Sequence, residues 1–268
     1  MRTIKLNNGV EMPIVGTGTN TYGKKNNEYM GKLRGDTKEI DWALENGYRH
    51  FDGAQSYRNE EVIGVGIANS SVNREDTFIT TKLATGSDGY QGKAWLKESI
   101  VNSLQLLQTD YIDLYLVHHP WADFDYEIAK VWKRLEKQYK KGRLKAIGVS
   151  NFEKHHLDKL LETAEVIPAV NQIESHPGKW NDELIEYSQS LGIAVTAWGP
   201  LKGAGESEVL AEIGAKYGKT PQQVALRYQI ERDVIVIPKS HNKDRQAENL
   251  DIFDFELTDE ERARIAEV

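Results

Sequence analysis

Four side chains in the first half of the chain, Asp52, Tyr57, Lys82 and His118, are of the types that move a proton onto an oxygen. A tyrosine alone is a poor proton donor near neutrality, because its unperturbed pKa is about 10. A neighbouring ammonium favours the phenolate and lowers that value. A carboxylate beside the lysine keeps it charged and aimed, and a histidine can orient or polarise a carbonyl oxygen. Together these groups suit protonation of a developing alkoxide. They carry no hydride, so a reduction built on them needs a cofactor. The plainer reading makes Asp52 and Lys82 a structural ion pair and His118 a satisfied core histidine.

Residues 114–120, LYLVHHP, hold two adjacent histidines. Alternation along a strand puts Leu114, Leu116 and His118 on one side and Tyr115, Val117 and His119 on the other. Parity does not say which side faces a site. His118 is expected to lie within the strand, whereas His119 precedes Pro120, where the chain must turn. His118 is therefore the better-anchored group.

These residues need a scaffold, and the chain supplies a repeating one. Strand-like apolar runs are expected at 14–18, 48–52, 78–82, 113–118, 146–150, 169–173, 193–198 and 234–238. Most lack strict alternation, as strands covered on their outer face by helices should. Helical patterns lie between them. One is expected from an Asp36 cap through Glu45 to Gly47, and others at 93–108, 127–141, 153–164, 181–191, 206–217 and 221–231. Eight β units alternating with helices imply a parallel (β/α)8 TIM barrel, with residues 1–268 as a single domain. An N-terminal β-hairpin, 3–6 and 10–12 around Asn7-Asn8-Gly9, is expected to cover the bottom of the barrel.

An open doubly wound sheet is the alternative. It lacks its glycine fingerprint, because Gly16-Thr17-Gly18-Thr19 is followed by no third glycine and no helix in the right place. GAKYGKT at 214–220 is one residue short of a phosphate loop and follows a helix rather than a strand.

In a barrel of this kind, catalytic groups gather at the C-terminal ends of the strands. The second strand ends in Asp52, with Tyr57 in the loop that follows, the third in Lys82 and the fourth in His118. The fifth ends in Ser150 and Asn151, the sixth carries Asn171, Gln172 and Glu174, and the eighth leads to Lys239 and Ser240. Polar groups at one end of six strands are hard to explain by packing, since a buried lysine or aspartate is costly unless paired.

Composition narrows the partners. The net charge of −7 argues against nucleic acid, and the one basic run, 137–145, reads as a solvated helix end and loop. No cysteine is present, which excludes disulfides and thiol chemistry. The N-terminus lacks an apolar signal core, and no run approaches the ~18 apolar residues that cross a membrane. The expectation is a cytoplasmic protein with no membrane or nucleic-acid partner, a monomer or weak homo-oligomer acting on small molecules. No metal site is expected. His118 with His119, and His155 with His156, are adjacent pairs rather than pairs one helical turn apart.

The motifs GYRHFDGAQSY, TTKL, DLYLVHHP, GVSNF, NQIESHP and IPKSHNKDRQAEN, in that order over nearly the whole chain, resemble those of the aldo-keto reductases. The resemblance implies a (β/α)8 barrel that reduces aldehydes or ketones with a nicotinamide cofactor. It places a catalytic tetrad on Asp52, Tyr57, Lys82 and His118, with Tyr57 as the acid. Gly18, Thr19 and Asp52 are implied beside the cofactor, and Ser150, Asn151 and Gln172 on its carboxamide. Trp198 stands where an aromatic ring stacks on the nicotinamide, and its AWGPL context is similar to the bacterial 2,5-diketogluconate reductase branch. Lys239, Ser240 and Arg245 match a pocket for the adenosine 2′-phosphate, and Glu248 and Asn249 match adenine contacts. Two cations and a hydroxyl suit a phosphate dianion, so NADPH is expected over NADH.

Departures from the family pattern fall at Asn20 and His119, where tryptophan is common, and at Gly53, where threonine is usual. They imply a more polar substrate pocket. A glycine-rich loop at 84–93 and a chain stopping at Val268, without the longer relatives' C-terminal loop, imply an open pocket with broad selection. Two other functions compete. An aldolase-like barrel would use Lys82 as a Schiff-base nucleophile, which wants a neutral lysine and not one held charged by Asp52. A regulatory subunit would bind NADPH without useful turnover.

Overall fold

The computed structural model describes residues 2–85 and 91–268. Strand β1 (Thr3–Lys5) pairs antiparallel with β2 (Glu11–Pro13), with Thr3 opposite Pro13. The turn between them closes through Leu6 N donating to Val10 O at 2.8 Å, and Gly9 supplies the positive φ of 88° that it needs. Asn7 donates to Pro168 O and Asn8 to Lys145 O, both at 2.9 Å and both at the starts of barrel strands. Leu6 and Met12 are buried beneath the hairpin. It therefore caps the N-terminal end of the barrel, as expected.

Among the described residues eight further strands form one parallel sheet: β3 (Thr17–Gly18), β4 (His50–Asp52), β5 (Phe78–Leu83), β6 (Ile112–Val117), β7 (Leu144–Ser150), β8 (Val170–Glu174), β9 (Ala194–Trp198) and β10 (Val234–Val236). Gly16 N donates to Val236 O at 2.8 Å and Val236 N to Ile14 O at 2.9 Å, which bring the last strand back to the first. The β5 and β10 side chains are buried throughout, the pattern of strands covered on both faces.

Helices α1 (Lys38–Asn46), α2 (Glu60–Ala68), α3 (Lys93–Leu106), α4 (Phe124–Lys140), α5 (Lys154–Leu161) and α6 (Asp182–Ser190) alternate with the strands. The chain continues through α7 (Glu208–Tyr217) and α8 (Pro221–Glu231) before β10, then α9 (Lys243–Leu250) and α10 (Asp259–Ala266). GAKYGKT is a helix-to-helix joint. Gly218 ends α7 at φ 65°, and Thr220 caps α8 through a reciprocal pair with Gln223, with Pro221 in the first turn.

Local differences from the sequence reading have physical causes. Helix α1 begins two residues after Asp36, whose carboxylate is drawn to Arg34 at 2.9 Å and reaches Lys38 N only at 3.4 Å. Helix α2 was not anticipated, because Gly64 and Gly66 weaken its pattern. Tertiary packing wants those glycines: a Cβ on Gly64 would lie 2.4 Å from Leu106 O, and one on Gly66 2.6 Å from Ile40. His118 lies one residue past β6 rather than inside it, yet its N–H donates to Leu83 O at 3.3 Å and ties it to β5. Of the glycine-rich loop at 84–93, residues 86–90 fall outside the described part. Among the described residues no helix is long and apolar enough to cross a membrane.

Candidate active site

A cavity of about 770 Å³ opens at the C-terminal ends of the strands. Strand β4 brings Asp52 to its floor, and the short helical turn Gln55–Tyr57 that follows brings Ser56 and Tyr57. The floor rests on Lys82, which is wholly buried. Its ammonium donates to Asp52 Oδ1 at 2.6 Å and Gly53 O at 2.8 Å, and lies 3.5 Å from the Tyr57 hydroxyl. Gln172 on β8 donates to the other Asp52 oxygen at 2.7 Å. Both carboxylate oxygens are thus engaged, as a buried charge pair requires.

Burial works against the Lys82 ammonium, but Asp52 and Tyr57 more than compensate, so its pKa lies above the usual lysine value. Lys82 is a fixed cation, not a neutral nucleophile, which disfavours Schiff-base chemistry. The expectation that Lys82 depresses the Tyr57 pKa is corrected here. Burial of the phenol raises it, Lys82 opposes, and burial wins. Tyr57 is therefore held as a neutral phenol, with the ammonium placed to stabilise the phenolate that proton transfer would leave.

His118 meets Tyr57 edge-on, with ring centroids 5.6 Å apart. Burial, then Lys82 and His119, push its pKa down to about 2, so it is a neutral imidazole. Its Nδ1 pairs with Ser56 Oγ at 3.2 Å, and its Nε2 has no partner among the described residues. Ser56 was missed in sequence, since a serine in a loop carries no periodic signal.

A second set of polar groups lines the wall. Asn151, just past β7, has φ 60°, a left-handed conformation that asparagine tolerates. It lies between His118 and Trp198 and accepts from Trp198 Nε1 at 2.9 Å. Ser150 Oγ donates to Gln172 O at 3.1 Å. Across the mouth, Gly18 packs so closely that a Cβ there would sit 3.2 Å from Ile237 O. Thr19 Oγ1 donates to Asp52 O at 2.9 Å, and Lys239 donates to Asn20 Oδ1 at 2.8 Å and Thr21 Oγ1 at 3.0 Å.

The structure thus gathers Gly18, Thr19, Asn20, Asp52, Tyr57, His118, His119, Ser150, Asn151, Gln172, Trp198 and Lys239 around one cavity, with Lys82 behind the floor. Ser240, Arg245, Glu248 and Asn249 are not in its lining but sit at and on α9. Arg245 is exposed in the first turn, Glu248 is half-buried, and Asn249 is buried beside Tyr48. Gly53 is corrected too. It lies outside the lining, its Cβ would strike Ile63 at 2.8 Å, and its carbonyl serves Lys82. Tyr29 and Lys202, neither anticipated, also line the cavity. The four candidate metal histidines do not converge, and no metal-type cluster occurs among the described residues.

Residues 14–268 match the model of the aldo/keto reductase family. The chain belongs to that family. It is 43% identical to a glyoxal reductase of Bacillus subtilis (strain 168), across 98% of this chain and 91% of that one. It is 39% identical to the methylglyoxal reductase DkgA of Escherichia coli (strain K12), across 99% of this chain and 92% of that one. Among solved structures, an aldo/keto reductase from Brucella melitensis superposes with a TM-score of 0.90 at 38% identity, covering 99% of this chain and 98% of that one. As a member of the family, this chain carries its oxidoreductase barrel with the cavity described above.

Proposed function

We propose that this chain, acting as one domain over residues 1–268, reduces aldehydes or ketones to alcohols with NADPH. The observation that carries the proposal is the buried line Asp52–Lys82–Tyr57 ending at the cavity beside a neutral His118. The nicotinamide, when bound, supplies the hydride. The donor set suits it. Ser150, Asn151 and Gln172 offer hydroxyl and amide groups on one wall, and Gln172 Oε1 has no partner among the described residues. Trp198 adds a flat apolar ring to the same wall. Lys239 and Arg245 supply two cations for a 2′-phosphate, with the Ser240 hydroxyl nearby and Glu248 and Asn249 toward the adenine. NADPH preference, the alcohol-forming direction and a cytoplasmic setting are parts of this reading.

In this mechanism His118 Nε2–H orients the carbonyl oxygen, with the Ser56 hydroxyl donating to Nδ1. Tyr57 delivers its proton to that oxygen as charge develops on it. Lys82, already within 3.5 Å, stabilises the resulting phenolate, and Asp52 with Gln172 holds Lys82 in place. The deciding experiment mixes purified protein with NADPH and a panel of aldehydes, ketones, diketones and keto-sugars while cofactor absorbance is followed. Consumption with a carbonyl supports the proposal. Silence across the panel, with NADPH binding seen as quenched tryptophan fluorescence, favours a binding-only protein and overturns it.

A further inference from the structure

Tyr57 is carried on a short turn, and that turn is held from behind by a residue outside the lining of the cavity. Gln55 is its first residue. Gln55 Nε2 donates to Ser99 O at 2.9 Å and lies 3.0 Å from both Ser103 Oγ and the Tyr115 hydroxyl. Its Oε1 accepts from Ala84 N at 3.0 Å. A backbone carbonyl only accepts and a backbone N–H only donates, so both contacts demand the same orientation of the amide. One side chain thereby joins the turn to α3, to β6 and to the residue after β5. Ser103, wholly buried on α3, also bonds the buried carboxyl of Glu60, which opens α2 and accepts from Thr81 Oγ1 at 2.6 Å. The segment 55–60 is thus stapled at its first and last residues to one hydroxyl. Between the staples the backbone is strained. Arg58 is exposed and sits at φ 56°, ψ 34°, the left-handed region that disfavours a residue with a Cβ. Such a conformation persists only where its surroundings over-determine it. Tyr57 depends on that persistence, because its hydroxyl stands 3.5 Å from the Lys82 ammonium, at the limit of a hydrogen bond.

We propose that Gln55 is a positioning residue for the proton transfer: pinned to α3, β6 and the end of β5, it holds the strained turn that keeps the Tyr57 hydroxyl over Lys82. The proposal rests on the reductase reading above. Gln55 lies outside the cavity lining, so it acts through Tyr57 rather than on a bound molecule. A turn that relaxes carries the phenol out of reach of Lys82, and a misplaced donor slows the chemical step without weakening binding. Arg58 supplies the corollary. Glycine enters the left-handed region freely, so Arg58→Gly should make the turn less dependent on Gln55.

The test follows single-turnover NADPH oxidation with the fastest carbonyl of the panel above, scaled to the fraction of protein that binds NADPH. In Gln55→Met, which keeps the length of the side chain but none of its hydrogen bonds, the rate should fall about tenfold while the carbonyl KM and the NADPH affinity stay within about twofold. The solvent deuterium isotope effect on that rate should rise, because the proton donor is the part displaced. Arg58→Gly alone should leave the rate unchanged, and added to Gln55→Met it should restore most of the loss. Should Gln55→Met not fold, Ser103→Ala, a smaller change that cuts the same staple, should show the same pattern to a lesser degree. An unchanged rate, a loss shared equally with binding, or an isotope effect that does not move marks Gln55 as merely structural and overturns the proposal. So does a loss that Arg58→Gly fails to relieve. An unmutated protein that oxidises NADPH with no carbonyl brings down the reductase reading and this proposal with it. Full activity in both the unmutated protein and Gln55→Met removes this proposal alone.

Discussion

The floor of the cavity and its outer edge at α9 handle charge in opposite ways. On the floor, Lys82 and Asp52 are both buried and each is held by several partners before any substrate arrives. At the edge, Arg245 is exposed and its guanidinium has no partner among the described residues, while Lys239 is parked on the neutral oxygens of Asn20 and Thr21. A group that must act on the reacting atoms is placed in advance, because reorganisation during the reaction would cost rate. A group that recognises a phosphate can wait in water, since the ligand brings the countercharge.

Breaking the floor should have the largest effects. Tyr57→Phe removes the acid and should cut turnover about 10²–10⁴-fold while NADPH binding, followed by fluorescence, stays nearly intact. Near-normal turnover would remove Tyr57 from the mechanism. Lys82→Met should strip the buried Asp52 of its partner and destabilise the fold by about 3–5 kcal/mol in urea unfolding. Arg245→Ala, by contrast, should leave stability within about 0.5 kcal/mol. It should weaken NADPH by roughly tenfold or more and NADH much less, as for loss of a charge-assisted contact. Equal losses for the two cofactors would mean that Arg245 does not read the 2′-phosphate.

The smallest expected effect is a pH dependence. His118 titrates at about 2 when folded against an ordinary 6.5, so below 6.5 the unfolded chain binds the proton first. Its contribution to stability is therefore complete above 6.5 and is lost progressively as pH falls toward about 2. His50, pushed by burial to about 3, acts with the same sign, so the comparison that isolates His118 is with His118→Gln. That variant should show a shallower acid limb in thermal unfolding. An unchanged limb would mean His118 titrates normally in the folded chain.

Much of this site was legible before folding, for a simple reason. Asp52, Lys82, Ser150, Gln172 and Trp198 each end or nearly end a strand, and in a parallel barrel all strand ends of one sense lie on one rim. Helix α2 escaped because its glycines are explained by close approach to Ile40 and Leu106, neighbours far away in sequence. Ser56, Tyr29 and Lys202 escaped because loops carry no period that says where a side chain points. Gly53 looked like a pocket residue because it departs from the family pattern, but it lies outside the cavity lining, with Ile63 where a Cβ would stand.

By itself, the order of apolar runs, helical patterns and polar strand ends determined a (β/α)8 barrel and the types of group at its mouth. Only the tertiary structure decided how those groups behave. Burial of Tyr57 outweighs the pull of Lys82, and Asn151 accepts from Trp198 while donating to His118 O, so one amide ties three strand ends together. Dielectric surroundings and hydrogen-bond direction are properties of neighbours in space, and the chain acquires those neighbours only when it folds.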